Sequence, residues 1–64
     1  MNKHPTPEAE QATIIAAFNE GKAIEWCAGE MQDKVWRPWW TEDGQPRFDV
    51  SESGCYNLYR IEPV

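Results

Sequence analysis

The sequence predicts a small α+β domain in which one N-terminal amphipathic helix packs on a small three-stranded antiparallel sheet. A helix signal occupies the first third of the chain, and apolar and polar residues alternate with period two in later segments. With 64 residues there is room for one such domain, which buries roughly 60% of the surface of its unfolded chain. We therefore divide the chain into a flexible N-terminal arm, residues 1–5, and a single domain, residues 6–64.

The helix is predicted by its start signal, its periodicity and its end signal. Thr6 is placed to act as the N-cap, and Pro7 suits the first helical position because an N–H there has no partner within the helix. Three large apolar residues then share one face over about three and a half turns: Ile14, Ile15 and Phe18. Gly21 is expected to end the helix in the left-handed conformation.

Three segments are predicted to be strands: 22–28, 34–37 and 55–62. In the first of them, alternation sends Ile24 and Trp26 to one side and Glu25 and Cys27 to the other. Pro38 has no N–H to donate, so it should end the second strand or lie at a sheet edge. Residues 41–54 form a connection whose length is unusual in so small a domain and is typical of a functional or a mobile loop.

The tryptophans are the main candidates both for the core and for a binding surface. Three of the four fall within "VWRPWW", residues 35–40. The predicted core combines one face of the helix with one face of the sheet: Ile14, Ile15, Phe18, Ile24, Trp26, Trp36, Tyr59 and Ile61. Trp39 and Trp40 are adjacent and follow Pro38, so in an extended chain they point in opposite directions. We therefore expect at least one of these two rings to be exposed.

An exposed tryptophan beside an arginine is typical of a protein–protein hot spot. On this basis the predicted binding surface contains aromatic, basic and acidic residues: Arg37, Trp39, Trp40, Glu42, Asp43 and Arg60. The structural alternative is that Arg37 and Arg60 merely stack on the tryptophan rings within the fold.

Charge and hydropathy exclude several classes of partner. Eleven acidic residues against six basic ones give a net charge of −5, and the basic residues are scattered singly. Binding to nucleic acid or to an anionic membrane needs clustered cations, so both are disfavoured. No apolar run approaches the roughly 18 residues of a membrane-spanning helix, and the N-terminus lacks the apolar core of a signal peptide. We therefore expect a cytoplasmic protein.

The chain shows no arrangement of residues for catalysis or metal binding. His4 is the single histidine, and Cys27 and Cys55 do not form a Cys-x-x-Cys pair, so neither a hydrolytic triad nor a zinc site is expected. The carboxylates of the 41–54 connection lack the order of a calcium-binding loop. We predict no enzymatic activity, no catalytic residue, no cofactor and no metal. Cys27 and Cys55 are expected to be reduced thiols, with a disulfide as the alternative if their strands are neighbours.

Two short motifs and the segment between them resemble a known group of proteins. The chain contains "GKAIEW" at residues 21–26, a tryptophan-rich centre, and "NLYRIEP" at residues 57–63. This order is similar to that of small tailed-phage and prophage proteins whose members read GKxIE followed by an aromatic residue, then W…P…W, then YRIKP or YRIEP. The resemblance covers about residues 18–63 and implies a phage origin and a compact α+β fold. It implies no chemistry, because most members have no assigned activity.

Together these observations predict a small non-enzymatic phage accessory protein that binds and modulates a host or competing protein in the bacterial cytoplasm. The alternative is a self-associating assembly module, for example a twofold dimer formed through the second sheet face or through an edge near Trp39. A DNA mimic or a single-strand nucleic-acid binder that stacks bases on its aromatic rings is less favoured, because the basic residues are few and the acidic residues only moderately frequent.

Overall fold

The computed structural model describes residues 3–63 and confirms the predicted α+β fold. It contains helix α1 (Glu8–Asn19), strands β1 (Ile24–Ala28), β2 (Arg37–Trp39) and β3 (Asn57–Ile61), and a short 3-10 helix, η1 (Thr41–Asp43). The sheet is antiparallel with the order β2-β1-β3, so β1 is its central strand. Helix α1 contacts β1 and β3, and β2 is an edge strand of the sheet.

Helix α1 begins differently from the prediction, since Pro7 and not Thr6 is the N-cap residue and no side chain caps the first turn. The backbone N–H of Thr6 donates to Nδ1 of His4 at 3.1 Å. Its carbonyl accepts from Nε2 of Gln11 at 2.8 Å. Thr6 is therefore held by its backbone groups, and its hydroxyl does not cap the helix.

Helix α1 ends as predicted, with Gly21 in the left-handed conformation at φ +84°. The N–H of Gly21 donates to the carbonyl of Phe18, and the N–H of Lys22 donates to that of Ala17, both at 3.0 Å. This pair of bonds is a Schellman motif, which satisfies carbonyls that the helix leaves unpaired. The reversal lets β1 begin at Ile24, two residues later than the sequence predicted.

The register of β1 and β3 separates two faces of the sheet. Trp26 pairs with Tyr59 and Ile24 pairs with Ile61, so these side chains share the face toward α1. The opposite face carries the alternate residues of the two strands: Glu25, Cys27, Leu58 and Arg60. Strand β3 is shorter than the predicted segment 55–62 and runs only from Asn57 to Ile61.

The predicted second strand at 34–37 is wrong, because β2 consists of Arg37–Trp39 and contains Pro38. Trp39 pairs with Ile24, and Pro38 lies opposite Glu25. In the register of β1 with β3, the backbone N–H and carbonyl of Glu25 point toward β3 and not toward β2. The backbone of Pro38, opposite Glu25, therefore forms no ladder bond to β1 and points to the free edge of the sheet. A proline is tolerated there because no ladder hydrogen bond depends on its missing N–H.

The core lies between α1 and the sheet and is centred on Tyr59. Its buried residues are Ile14, Ala17, Ile24 and Tyr59, and four half-buried rings pack against them: Phe18, Trp26, Trp39 and Phe48. The Tyr59 ring lies 5.2 Å from that of Trp39 and 5.3 Å from that of Phe48, in edge-on geometry. Such aromatic pairs stabilise a small core beyond the area that they bury.

Three residues of the predicted core lie outside this buried cluster. Trp36 is on the opposite face of the sheet, because the register directs Arg37 and Trp39 toward the helix side and therefore Trp36 away from it. Ile61, at the end of β3, is 38% exposed. Ile15 is only half-buried, since it lies about 100° around the helix from the buried Ile14.

His4 is docked on the domain, which corrects the predicted arm for the part that the structure describes; residues 1–2 lie outside it. His4 is 8% exposed, and its Nε2–H donates to the carbonyl of Asn57 at 2.7 Å. The rings of Phe48 and Tyr56 each lie 5.3 Å from the imidazole. His4 thus joins the segment before α1 to the long connection and to β3.

Candidate protein-binding surface

The six residues predicted as one binding surface are divided by the fold. Arg37 and Trp39 point to the helix side of the sheet, and Arg60 points to the opposite face. Trp40, Glu42 and Asp43 are exposed at and within η1, directly after β2. Only these last three residues are brought together on the surface.

Trp39 is a core residue, contrary to the prediction of a surface role. Its ring lies 6.0 Å from that of Trp26 in addition to its contact with Tyr59. Its indole N–H donates to the carbonyl of Gly44 at 2.8 Å, which ties the turn after η1 to the sheet. The sequence did not reveal this role, because the adjacent pair of tryptophans offers no local signal for which ring turns inward.

Arg60 takes part in a stacked ion pair on the face opposite α1. Its Nε donates to Oε1 of Glu25 at 2.7 Å. Its guanidinium lies 4.3 Å from the centre of the Trp36 ring. We call these three residues the Trp36–Arg60–Glu25 triad, in which one cation is held by an aromatic ring and a carboxylate.

Cys27 lies on the same sheet face and is 3% exposed, so its thiol is buried although the Arg60 side chain on this face remains partly exposed. Burial raises the pKa of the Cys27 thiol, and the positive charges of Lys34 and Arg60 lower it by smaller amounts. The thiol is therefore neutral at pH 7 and unsuited to nucleophilic chemistry. Cys55 is exposed, and both cysteines are free thiols, so the disulfide alternative is wrong for this structure.

Trp40 is the most exposed of the tryptophans, at 62%. Its backbone is extended, so it continues the alternation of β2 and lies on the same face as Trp36 and Pro38. Its N–H donates to Oδ2 of Asp43 at 3.2 Å, and the N–H of Asp43 donates back to the Trp40 carbonyl at 2.9 Å. This pair of bonds fixes η1 and its carboxylates beside the exposed ring.

Exposed apolar side chains concentrate near β2. Of the four large apolar residues that are exposed in the described chain, Met31, Val35 and Trp40 fall within ten residues of sequence. Met31 and Val35 line a cavity of about 260 Å³ whose polar residues include Asp33 and Arg37. Trp26 and Arg37, at the end of β2 away from Trp40, also line this cavity, so it is separate from the face that carries Pro38 and Trp40. We call Pro38 and Trp40 together the β2 surface. Sequence reasoning did not single out Met31 or Val35, because it weighed only the tryptophans as exposed apolar residues.

The free edge of β2 is closed to strand addition. Pro38 offers no N–H, and both the N–H and the carbonyl of Trp40 are bonded to Asp43. Proline and local side-chain bonds are common devices against the pairing of edge strands. A partner at this surface must therefore be recognised by side-chain contacts, and self-pairing of the edge near Trp39 loses its support.

We expect Pro38→Val to increase self-association, because it restores an outward N–H on an exposed edge. Sedimentation velocity over a range of protein concentrations should show larger species for Pro38→Val than for the wild type. Pro63→Val is the matched control, since Pro63 is exposed beyond the end of β3. Identical sedimentation of the three proteins would show that the missing N–H is not what limits edge pairing.

His4 is held within the fold by both of its ring nitrogens. Both ring nitrogens of His4 are engaged, Nδ1 with Thr6 and Nε2 with Asn57, although a solvent-open cavity of about 490 Å³ lies beside it. Between residues 3 and 63, no three histidine, cysteine or acidic side chains come together in a way that would hold a metal ion. No helix in this part of the chain has the length and apolar character needed to cross a membrane.

The motifs that resemble phage proteins lie mainly on two neighbouring strands: "GKAIEW" ends in β1, and "NLYRIEP" contains β3. Comparison of the chain with protein-family models, with curated proteins and with solved structures finds no match. The phage resemblance is therefore a prediction that depends on these short motifs, and the candidate surface is defined by its own geometry.

Proposed function

We propose that this chain is a small non-enzymatic accessory protein that binds another protein through the β2 surface. The single observation that carries the proposal is Trp40, which is 62% exposed while the other three tryptophans pack or stack within the fold. The phage resemblance adds a host or competing bacterial protein as the proposed partner and the bacterial cytoplasm as the proposed location.

The energetics of aromatic burial support a binding role for Trp40. A tryptophan buries about 150–250 Å² when it is fully covered, and tryptophan is enriched among hot-spot residues. Trp40 is presented on a turn that hydrogen bonds to Asp43 hold in place, so little conformational entropy is lost when a partner covers the ring. The Asp43 carboxylate, which accepts from the Trp40 N–H, adds a polar group near the exposed ring, as is usual at the margin of an interface.

Self-association through the second sheet face is the less supported alternative. That face carries the Trp36–Arg60–Glu25 triad, and beneath it Cys27 is already buried within one copy. A second copy that packed on this face would therefore gain no burial of the Cys27 thiol, which is already buried in one copy.

The binding surface can be tested with a photoreactive amino acid at the exposed Thr41, which keeps the Trp40 ring beside it, and, as the control, at the exposed Thr13 of α1. In bacterial lysate, position 41 should give one dominant adduct that position 13 does not give and that is lost in Trp40→Ala. The partner identified by mass spectrometry is then purified and titrated with the unmodified chain. We expect Trp40→Ala to keep the wild-type circular dichroism and to weaken binding by roughly 30-fold or more.

Thr13→Ala is the matched surface variant, because its hydroxyl bonds only to the carbonyl of Ala9 in the same helix. It should bind the partner like the wild type. Equal cross-linking from both positions, or equal affinity of Trp40→Ala and the wild type, would reject the β2 surface as the binding site.

A further inference from the structure

The Trp36–Arg60–Glu25 triad shows how this sheet face holds a cation. The Trp36 ring covers the guanidinium of Arg60 at 4.3 Å, and the Glu25 carboxylate accepts from its Nε at 2.7 Å. Both the ring and the carboxylate stabilise the bound cation, because the cation is attracted to the face of the ring and forms a charge-assisted hydrogen bond to the carboxylate oxygen.

Trp40 presents an exposed ring with two carboxylates next to it along the chain and no cation over it in the described residues. Its ring lies on the same sheet face, two alternation steps along the chain from Trp36, and the carboxylates of Glu42 and Asp43 follow it on η1. Asp43 is held against the Trp40 backbone by two hydrogen bonds. Across residues 3–63, the ion pairs involve other acids, and the one cation over an aromatic ring is Arg60 on Trp36.

We propose that Trp40 and the carboxylates of η1 receive an arginine side chain of a partner protein, an inference that rests on the proposed function. Arginine fits better than lysine because its planar guanidinium can stack on the indole while its N–H groups reach a carboxylate. The net charge of −5 favours a basic partner segment and speeds its association. Since the β2 edge is closed to strand addition, the arginine is recognised by side chains and not through a shared sheet.

The proposal is tested by nuclear magnetic resonance with a series of short peptides that differ at one central position. That position holds arginine, lysine or citrulline, which has nearly the shape of arginine without its charge. The indole N–H signal of Trp40 is assigned by its loss in Trp40→Phe. The arginine peptide should shift this signal in a saturable manner, the lysine peptide should bind roughly threefold or more weakly, and the citrulline peptide should give no saturable shift.

Two variants separate a specific site from general attraction to an acidic protein. Glu42→Gln should weaken binding of the arginine peptide by roughly threefold to tenfold and reduce its dependence on salt. Glu10→Gln removes the same charge from the exposed side of α1 and should leave the affinity unchanged. Asp43 is kept intact in both variants because its carboxylate also holds the turn.

Equal shifts with the arginine and citrulline peptides, or equal losses in Glu42→Gln and Glu10→Gln, would overturn the arginine site. A partner complex that depends on Trp40 but survives replacement of every partner arginine near the cross-link would also overturn it while leaving the proposed function intact. Absence of Trp40-dependent cross-linking rejects the proposed function itself, whereas the peptide titration reports on the arginine site alone.

Discussion

Trp39→Ala is expected to unfold most of the protein at 25 °C. The Trp39 ring contacts those of Trp26 and Tyr59, and its indole N–H holds the carbonyl of Gly44. Replacement of a packed tryptophan by alanine costs about 3–5 kcal/mol, which is similar to the roughly 3–5 kcal/mol that the core of so small a domain supplies. Urea unfolding followed by circular dichroism should show little or no folded baseline for this variant.

Trp36→Ala is the informative comparison, because the same residue type is removed from the opposite face of the same strand region. This variant loses the stacking of Trp36 on Arg60, worth about 1 kcal/mol, and some covered area, while the ion pair of Arg60 with Glu25 is retained. We expect a folded protein with a lower urea midpoint. If Trp36→Ala were the more damaging change, Trp36 would be the core residue, as the sequence pattern first predicted.

Gly29→Ala is expected to lower the free energy of unfolding by about 1–3 kcal/mol. A Cβ on Gly29 would lie 1.9 Å from Cε2 of Tyr56, so the Tyr56 ring must leave its position. That ring packs edge-on against the buried His4, and the Gly29 N–H donates to the Tyr56 carbonyl at 2.9 Å. The backbone of Gly29 is outside the left-handed region, so the cost arises from the collision and not from backbone strain.

A double-mutant cycle identifies the cause of this loss. In a Tyr56→Ala background the ring is absent, and Gly29→Ala should then cost almost nothing. Urea midpoints of the two single variants and the double variant give the coupling directly. Additive losses would show that the Tyr56 ring has room to move and that glycine is needed at position 29 for another reason.

Local sequence signals were sufficient for several features that depend on neighbouring residues, although not for the start of α1, where Thr6 does not act as the cap. The periodicity of α1, the left-handed Gly21 and the alternation of β1 all follow from interactions within a few residues of the chain. The sequence also indicated that one ring of the pair Trp39 and Trp40 would be exposed, since adjacent residues of an extended chain face opposite ways.

Tertiary structure alone decided which tryptophans are core and which is surface. The pairing of Trp39 with Ile24 sets the register of β2, and a shift of one residue would exchange Trp39 with the outward positions. No local rule specifies that pairing, because it is chosen by how the rings fit around Tyr59. The docking of His4 is likewise invisible to local patterns, since its partner Asn57 is 53 residues away along the chain.

By itself, then, the sequence determined the class of fold, the order of its elements and the need for aromatic core residues. Packing decided the rest: Trp39 turned inward, Trp36 stacked on Arg60, and Trp40 remained exposed beside two carboxylates. The physical reason is that strand register and side-chain packing are selected by contacts between segments distant in the chain. Such contacts do not produce a periodic pattern in the sequence.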